Sequence, residues 1–173
     1  MSLRMKSAAL ATLLVLGSLG LSAMPAHASA SGGVVHGTGD WRDDWSDEGD
    51  LSQSAYAHSN VAAMWQAILW ADGRLSSTAD IDCIFGPTTH TATRVWQQDR
   101  RLEDDGIVGK NTFSAASRNL SGASGSGNQI VYHGAYGGRY VTFTRVDNGR
   151  WGMYIGSELK TLWYNDATFS ACS

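Results

Sequence analysis

The chain has 173 residues, 43% of them hydrophobic and 17% charged, which suffices for one modest domain or two very small ones. Its net charge is −3, and an acidic balance argues against a nucleic-acid partner. Two cysteines without a CxxC or HxxxH spacing cannot make a four-ligand zinc site unless scattered histidines join them.

Arg4 and Lys6 precede an apolar run over 8–21, and Ala26-His27-Ala28 places small residues where a signal peptidase requires them. The pattern predicts a signal peptide over 1–28, with cleavage after Ala30 as a second option. A membrane anchor is the rival reading, but Gly17, Ser18 and Gly20 interrupt the run and it is short for a bilayer. The expectation is a secreted, extracellular protein with no membrane contact after cleavage. Losing the leader removes two of 13 basic residues and none of the 16 acidic ones, so 11 against 16 leaves −5. An oxidising exterior also favours a bridge between Cys83 and Cys172 over two free thiols.

Residues 29–57 are rich in Gly, Ser and Asp around GDWRDDWSDEGD, and are expected to be a flexible acidic segment with Trp41 and Trp45 as incidental aromatics; the alternative is that these two, four apart, form one face of a short helix or contact a sugar. The alternating ligands of a calcium loop are missing there. Val61, Met64, Trp65, Ile68 and Leu69 recur at three- and four-residue spacing, predicting an amphipathic helix over 60–72 capped by Ser59 or Asn60. Pro87 suits the first turn of a second helix running through Ala92, Val95 and Trp96 toward Arg100. A third, shorter helix is expected over 110–117, burying Phe113 and Ala116. Residues 119–128 read as a Gly/Ser linker.

From 129 to 173 the chain turns to β-branched and aromatic runs broken by glycine, which predicts a small antiparallel meander. Asn148-Gly149 is the favoured pair for a two-residue primed turn, setting Val146 opposite Trp151, Thr144 opposite Met153 and Phe143 opposite Tyr154. So small a sheet is expected to rest one face on the helices. The fold class is therefore α+β, a compact three-helix bundle over 58–118 followed by the meander.

DCIFGPTT at 82–89 returns as DGIVGKNT at 105–112, with Asp, Ile, Gly and Thr in the same four places. Each octet reads as a helix-entry device. The structural residues are Asp82 and Asp105, accepting loop amides, and threonines, Thr112 among them, in the first helical turn. Ile84 and Ile107 are expected to plug inward.

The series VxxMWQxIL, DCIFGPTTxxATRVWQ and RLxxDGIVGKNTF, over about 59–117, resembles the peptidoglycan-binding domain family, a three-helix wall-binding module. The overall layout is similar to that of small secreted wall proteins of actinobacteria. The resemblance implies non-catalytic binding of peptidoglycan in a shallow groove beside the helix-entry loops. The residues expected to line it are Phe85, Gly86, Thr88, Thr89, Trp96, Gln97, Val108 and Gly109, with Trp96 equally a core candidate by its helical period. Several positions depart from the family pattern: Cys83 and Arg101 stand where glycine is common, Trp65 where glutamine is, and Lys110 where proline is frequent.

Enzyme chemistry finds little support. His36, His58, His90 and His133 are scattered singly, and the 45 residues of the meander are few for a catalytic cleft with its own supporting shell. Cys83 and His90 imitate a cysteine-peptidase pair, but Cys172 offers the thiol a bridge. The reading is a non-catalytic wall-binding protein without cofactor or metal. The alternative is a wall-anchored interaction or inhibitory protein whose tyrosine- and tryptophan-rich sheet binds another wall-associated protein; a cell-wall hydrolase ranks last.

Overall fold

The computed structural model describes residues 32–122 and 128–172. The leader expected over 1–28 and part of the Gly/Ser stretch, 123–127, lie outside the described residues. Three helices, α1 (Asn60–Ala71), α2 (Pro87–Asp99) and α3 (Lys110–Ser117), precede five strands: β1 (Leu120–Gly122), β2 (Gln129–His133), β3 (Tyr140–Arg145), β4 (Trp151–Ile155) and β5 (Glu158–Thr161).

α1 starts where Ser59 accepts the Ala62 amide on its side chain, leaving Asn60 free for a longer-range task. Asn60 reaches the end of the chain, donating from Nδ2 to Thr161 O and Thr168 Oγ1 and accepting the Thr168 amide. The helix is buried on nearly every side, including Asn60 and Gln66, so a single amphipathic stripe understates it. Trp65 packs edge-on against Trp96 of α2 at 5.0 Å and against Phe113 of α3 at 6.0 Å, which centres the bundle. α2 opens with Pro87 and closes in a Schellman turn. Arg101 adopts φ +57, its amide bonds Gln98 O, and the Leu102 amide reaches Gln97 O, each at 3.0 Å.

The strands pair in chain order, β1-β2-β3-β4-β5, each antiparallel to the next. Two expectations change. The Gly/Ser linker begins too early, because Leu120 is buried and its strand pairs with β2 through Leu120↔Tyr132. The β3–β4 register is also one residue off, for Phe143 lies opposite Met153 and Thr144 opposite Gly152. The turn is longer than two residues: the Val146 amide bonds Arg150 O across Asp147, Asn148 and Gly149, with Asn148 at φ +54 and Gly149 at φ +79. Burial decides between the registers, since Phe143 and Met153 are both fully buried while Tyr154 is 49% exposed.

The acidic segment is the largest correction. Val35, Trp45 and Leu51 are fully buried in the same core as the helices and the sheet, so 32–57 is a packed belt and not a solvated tail. Backbone bridges Val34↔Trp163 and His36↔Arg150 tie it to the sheet, while the Leu51↔Val108 bridge and the Phe85 amide on Ala57 O tie it to both octets. Its carboxylates are fixed by long-range donors: Asp44 accepts from Arg145 at 2.6 Å and Trp151 Nε1 at 2.8 Å, and Glu48 from the Tyr164 hydroxyl at 2.7 Å. Composition missed this because local charge says nothing of distant donors. Cys83 and Cys172 are joined in a disulfide with Cα atoms 5.0 Å apart, closing a loop 89 residues long. In the chain-entropy description such a loop contributes about 4 to 5 kcal/mol.

Two outcomes follow from these contacts. Arg101→Gly relieves the left-handed strain at the end of α2 and raises stability by about 1 kcal/mol in chemical denaturation; an unchanged or lowered midpoint contradicts the strain. Glu48 is 2% exposed, and burial lifts its pKa from 4.5 to about 8 against the pull of the Tyr164 hydroxyl. The folded protein thus keeps a proton that the unfolded chain releases above pH 4.5. Its contribution is complete below pH 4.5 and is lost as pH rises through 8, falling by up to about 1.4 kcal/mol per pH unit. Urea titrations across that range should show the slope in the wild type and its loss in Glu48→Gln.

Candidate functional site

Each octet wraps one buried glutamine. Gln66 of α1 accepts the amides of Asp82 (3.1 Å) and Cys83 (2.9 Å) on Oε1, while Nε2 faces Asp82 Oδ1 (2.7 Å), Ile84 O (3.0 Å) and Thr89 Oγ1 (3.0 Å). Gln97 of α2 repeats the arrangement. Its Oε1 accepts the Gly106 amide at 2.8 Å, and Nε2 faces Asp105 Oδ1 (3.0 Å), Ile107 O (2.9 Å) and Thr112 Oγ1 (3.1 Å). Asp82 and Asp105 also take the amides of Ile84 and Ile107, at 2.9 and 2.8 Å. Both glutamines are 1% exposed, and an amide group meets this mixture of donors and acceptors where a carboxylate or a methylene does not.

The clamp fixes which octet residues reach solvent. Ile84 and Ile107, expected inside, are 49% and 39% exposed, because both backbone groups of each are held and the next residue, Phe85 or Val108, takes the inward place. Of the eight residues expected to line a groove, Phe85, Thr89, Trp96, Gln97 and Val108 are buried and face the interior. Trp96 donates Nε1 to Asp72 at 2.6 Å. Thr88 is exposed, and Gly86 and Gly109 are half-buried. Sequence reasoning missed Ile84 and Ile107 by treating the hydrophobe after the Asp as the plug. It missed Gln66 by comparing Trp65, its neighbour, with the family glutamine.

Two open cavities flank the loops. One, of about 560 Å³, lies beside the start of α2 between Gly73, Arg74, Pro87, Thr88, Thr91 and Val95. Its one charged group, Arg74, pairs with Asp99 at 2.5 Å. The other, of about 410 Å³, lies beside the start of α3 and is lined by Asp50, Glu103, Asp105, Ile107, Lys110 and Asn111. Asp104, next to this cavity, is held below the usual carboxylate range by hydrogen bonds from Gln98 and then Arg94. Asp50 crowds Gly109, where an added Cβ would stand 2.6 Å from its Oδ1, so the belt shapes this cavity.

The remaining polar candidates go separate ways. His36 contacts Asn148 O, His58 contacts Cys172 O, and His133 contacts Ser121 Oγ. Arg139 caps α1 at Trp70 O, and Arg145 turns to Asp44. Among the described residues no three His, Cys, Asp or Glu side chains gather where they could hold a metal ion.

Three short helices joined by two glutamine-clamped entry loops define a small helical module. Residues 58–115, the helical unit of this chain, match the family described as "Putative peptidoglycan binding domain". No curated protein and no solved structure matches the chain.

The clamp predicts a cost when it is emptied. Gln97→Met keeps the approximate volume but leaves the Gly106 amide without its acceptor and the Ile107 carbonyl with the Thr112 hydroxyl alone, so stability should fall by about 1 to 3 kcal/mol. Amide hydrogen exchange should accelerate at 105–109 before it does in the sheet. Uniform acceleration across the chain would show that the glutamine does not act locally.

Proposed function

We propose that the chain is a secreted, non-catalytic peptidoglycan-binding protein whose helical unit contacts the wall through the exposed shoulders of its two entry loops. The observation that carries this is the pair of isoleucines at equivalent octet positions, each apolar, exposed and held by hydrogen bonds at both its amide and its carbonyl. Exposed hydrophobes on rigid loops bind with little ordering cost. Gly109, Lys110 and Asn111 line the same cavity as Ile107 and supply a polar rim there. The family supports the wall as partner. Secretion is supported by the leader pattern and by the disulfide. The non-catalytic reading rests on the carboxylates at the loops, since Asp82 and Asp105 are occupied by backbone amides and are not poised as an acid and base pair.

The test is co-sedimentation of the full chain with purified sacculi. Ile84→Ser and Ile107→Ser each remove an exposed apolar contact of about 1 to 2 kcal/mol, so each should weaken binding roughly 5- to 30-fold with the circular dichroism unchanged. Undiminished binding in the double variant refutes the loop assignment, and absence of wild-type binding refutes the wall reading. Release of soluble muropeptides, abolished by a single Asp or His substitution, would show an enzyme instead.

A further inference from the structure

We propose that the outer face of the sheet is a second binding surface, a platform for an uncharged polysaccharide. The register places alternate residues on this face: Val131 lies opposite Thr142, Thr144 opposite Gly152, and Tyr154 opposite Leu159. Their neighbours Ile130, Tyr132, Phe143 and Met153 are fully buried on the other side. Tyr140 is 62% exposed, Tyr154 49% and Leu159 36%.

Charge selects the occupant. The chain carries 13 basic and 16 acidic residues, yet no Asp, Glu, Lys or Arg stands at any strand position of this face. A charged polymer would lose hydration here and gain no counter-charge. An acidic protein also repels a polyanion before contact. A neutral polymer of hydroxyl and amide groups is the electrostatic match. Thr142, Thr144 and the tyrosine hydroxyls both donate and accept, while the tyrosine rings offer apolar faces to the C–H faces of sugar rings.

Shape and composition agree. Gly152 has no side chain and is covered by its neighbours, since a Cβ there would meet Lys160 O at 3.0 Å, Leu159 Cδ1 at 3.1 Å and Val146 Cγ1 at 3.3 Å. Protein-binding hot spots favour Trp, Tyr and Arg over Thr, Val and Leu. This face has tyrosine, but among its strand positions it has no arginine or tryptophan and is otherwise built from threonine, valine and leucine. The residues involved are distinct from the entry loops, so the inference stands apart from the wall-binding reading.

The full chain is tested against chitin and cellulose as neutral polymers, with heparin as the polyanion. Retention on at least one neutral polymer and none on heparin is expected. The Tyr140→Ala, Tyr154→Ala double variant should weaken retention about tenfold or more. Thr144→Lys should weaken it with both tyrosines intact. Because the altered side chains are exposed, the melting temperature serves as the folding check. The proposal is overturned if neither neutral polymer retains the wild type, or if retention ignores the sheet variants. It is equally overturned if sedimentation shows a dimer that the tyrosine variants dissolve, which assigns the face to a second copy of the chain.

Discussion

The carboxylate of Asp72, 5% exposed at the C-terminal end of α1, is where the helices and the sheet are joined. Four donors from three stretches converge on it: Trp96 Nε1 and Arg100 around the end of α2, the Tyr132 hydroxyl from β2, and the Ala135 amide. A negative charge at a helix C-terminus opposes the helix dipole, so this position is tenable only because those donors surround it. Arg100 also lies over the Trp96 ring at 3.7 Å, adding a cation–π contact to the ion pair. The chain then approaches α1 closely at Gly134, where any Cβ would collide with the backbone of Ala71. Arg139 completes the junction by donating to Trp70 O while stacking on Trp70 and Tyr136. A sheet of short strands, marginal alone, is thereby made part of a single core.

The belt solves the same problem from the opposite side. Asp44 and Glu48 are buried acidic groups whose donors, Arg145, Trp151 and Tyr164, all come from the C-terminal third of the chain. Burial raises the pKa of Asp44 even against the hydrogen bonds from Arg145 and Trp151. Each carboxyl is completed by donors from the C-terminal third, Arg145 and Trp151 for Asp44 and Tyr164 for Glu48, which favours this register of belt on sheet over a sliding one. Because the belt also bridges both octets, the loops that present Ile84 and Ile107 are held from behind by Gln66 and Gln97 and from the side by Leu51 and His58. The rigidity of the candidate site is thus a property of the whole core.

What the sequence made legible was whatever depends on local period and punctuation. Apolar spacing and Pro87 placed the three helices, and glycine-broken β-branched runs placed the meander. The bridge between Cys83 and Cys172 was also legible, since two cysteines in an oxidising setting leave few alternatives. What stayed hidden depends on partners far away in the chain. The acidic stretch 32–57 looks solvated until Arg145, Trp151 and Tyr164 are placed beside it. The side of each octet that faces inward was equally hidden, because the plug is chosen by a glutamine 16 residues earlier in one case and 8 in the other. The β3–β4 register slipped for a different reason: Asn-Gly signals a tight turn but does not say whether Asp147 belongs to it.

Two left-handed positions show how the chain departs from its own repeat. Gly106 has φ +74, and His90 packs so closely that a side chain there would overlap its ring. The matching position in the first octet is Cys83, at φ +67, a conformation that disfavours any side chain. One octet therefore keeps glycine and tight packing, while the other accepts backbone strain and gains a covalent tie to the end of the chain. That tie falls one residue before Ile84, whose backbone also pairs with His58, and His58 in turn contacts Cys172 O. The strain is offset because the bridge acts on the loop that most needs anchoring: Gln66 stands 16 residues from its octet, against 8 for Gln97, so the first loop has the longer excursion to close.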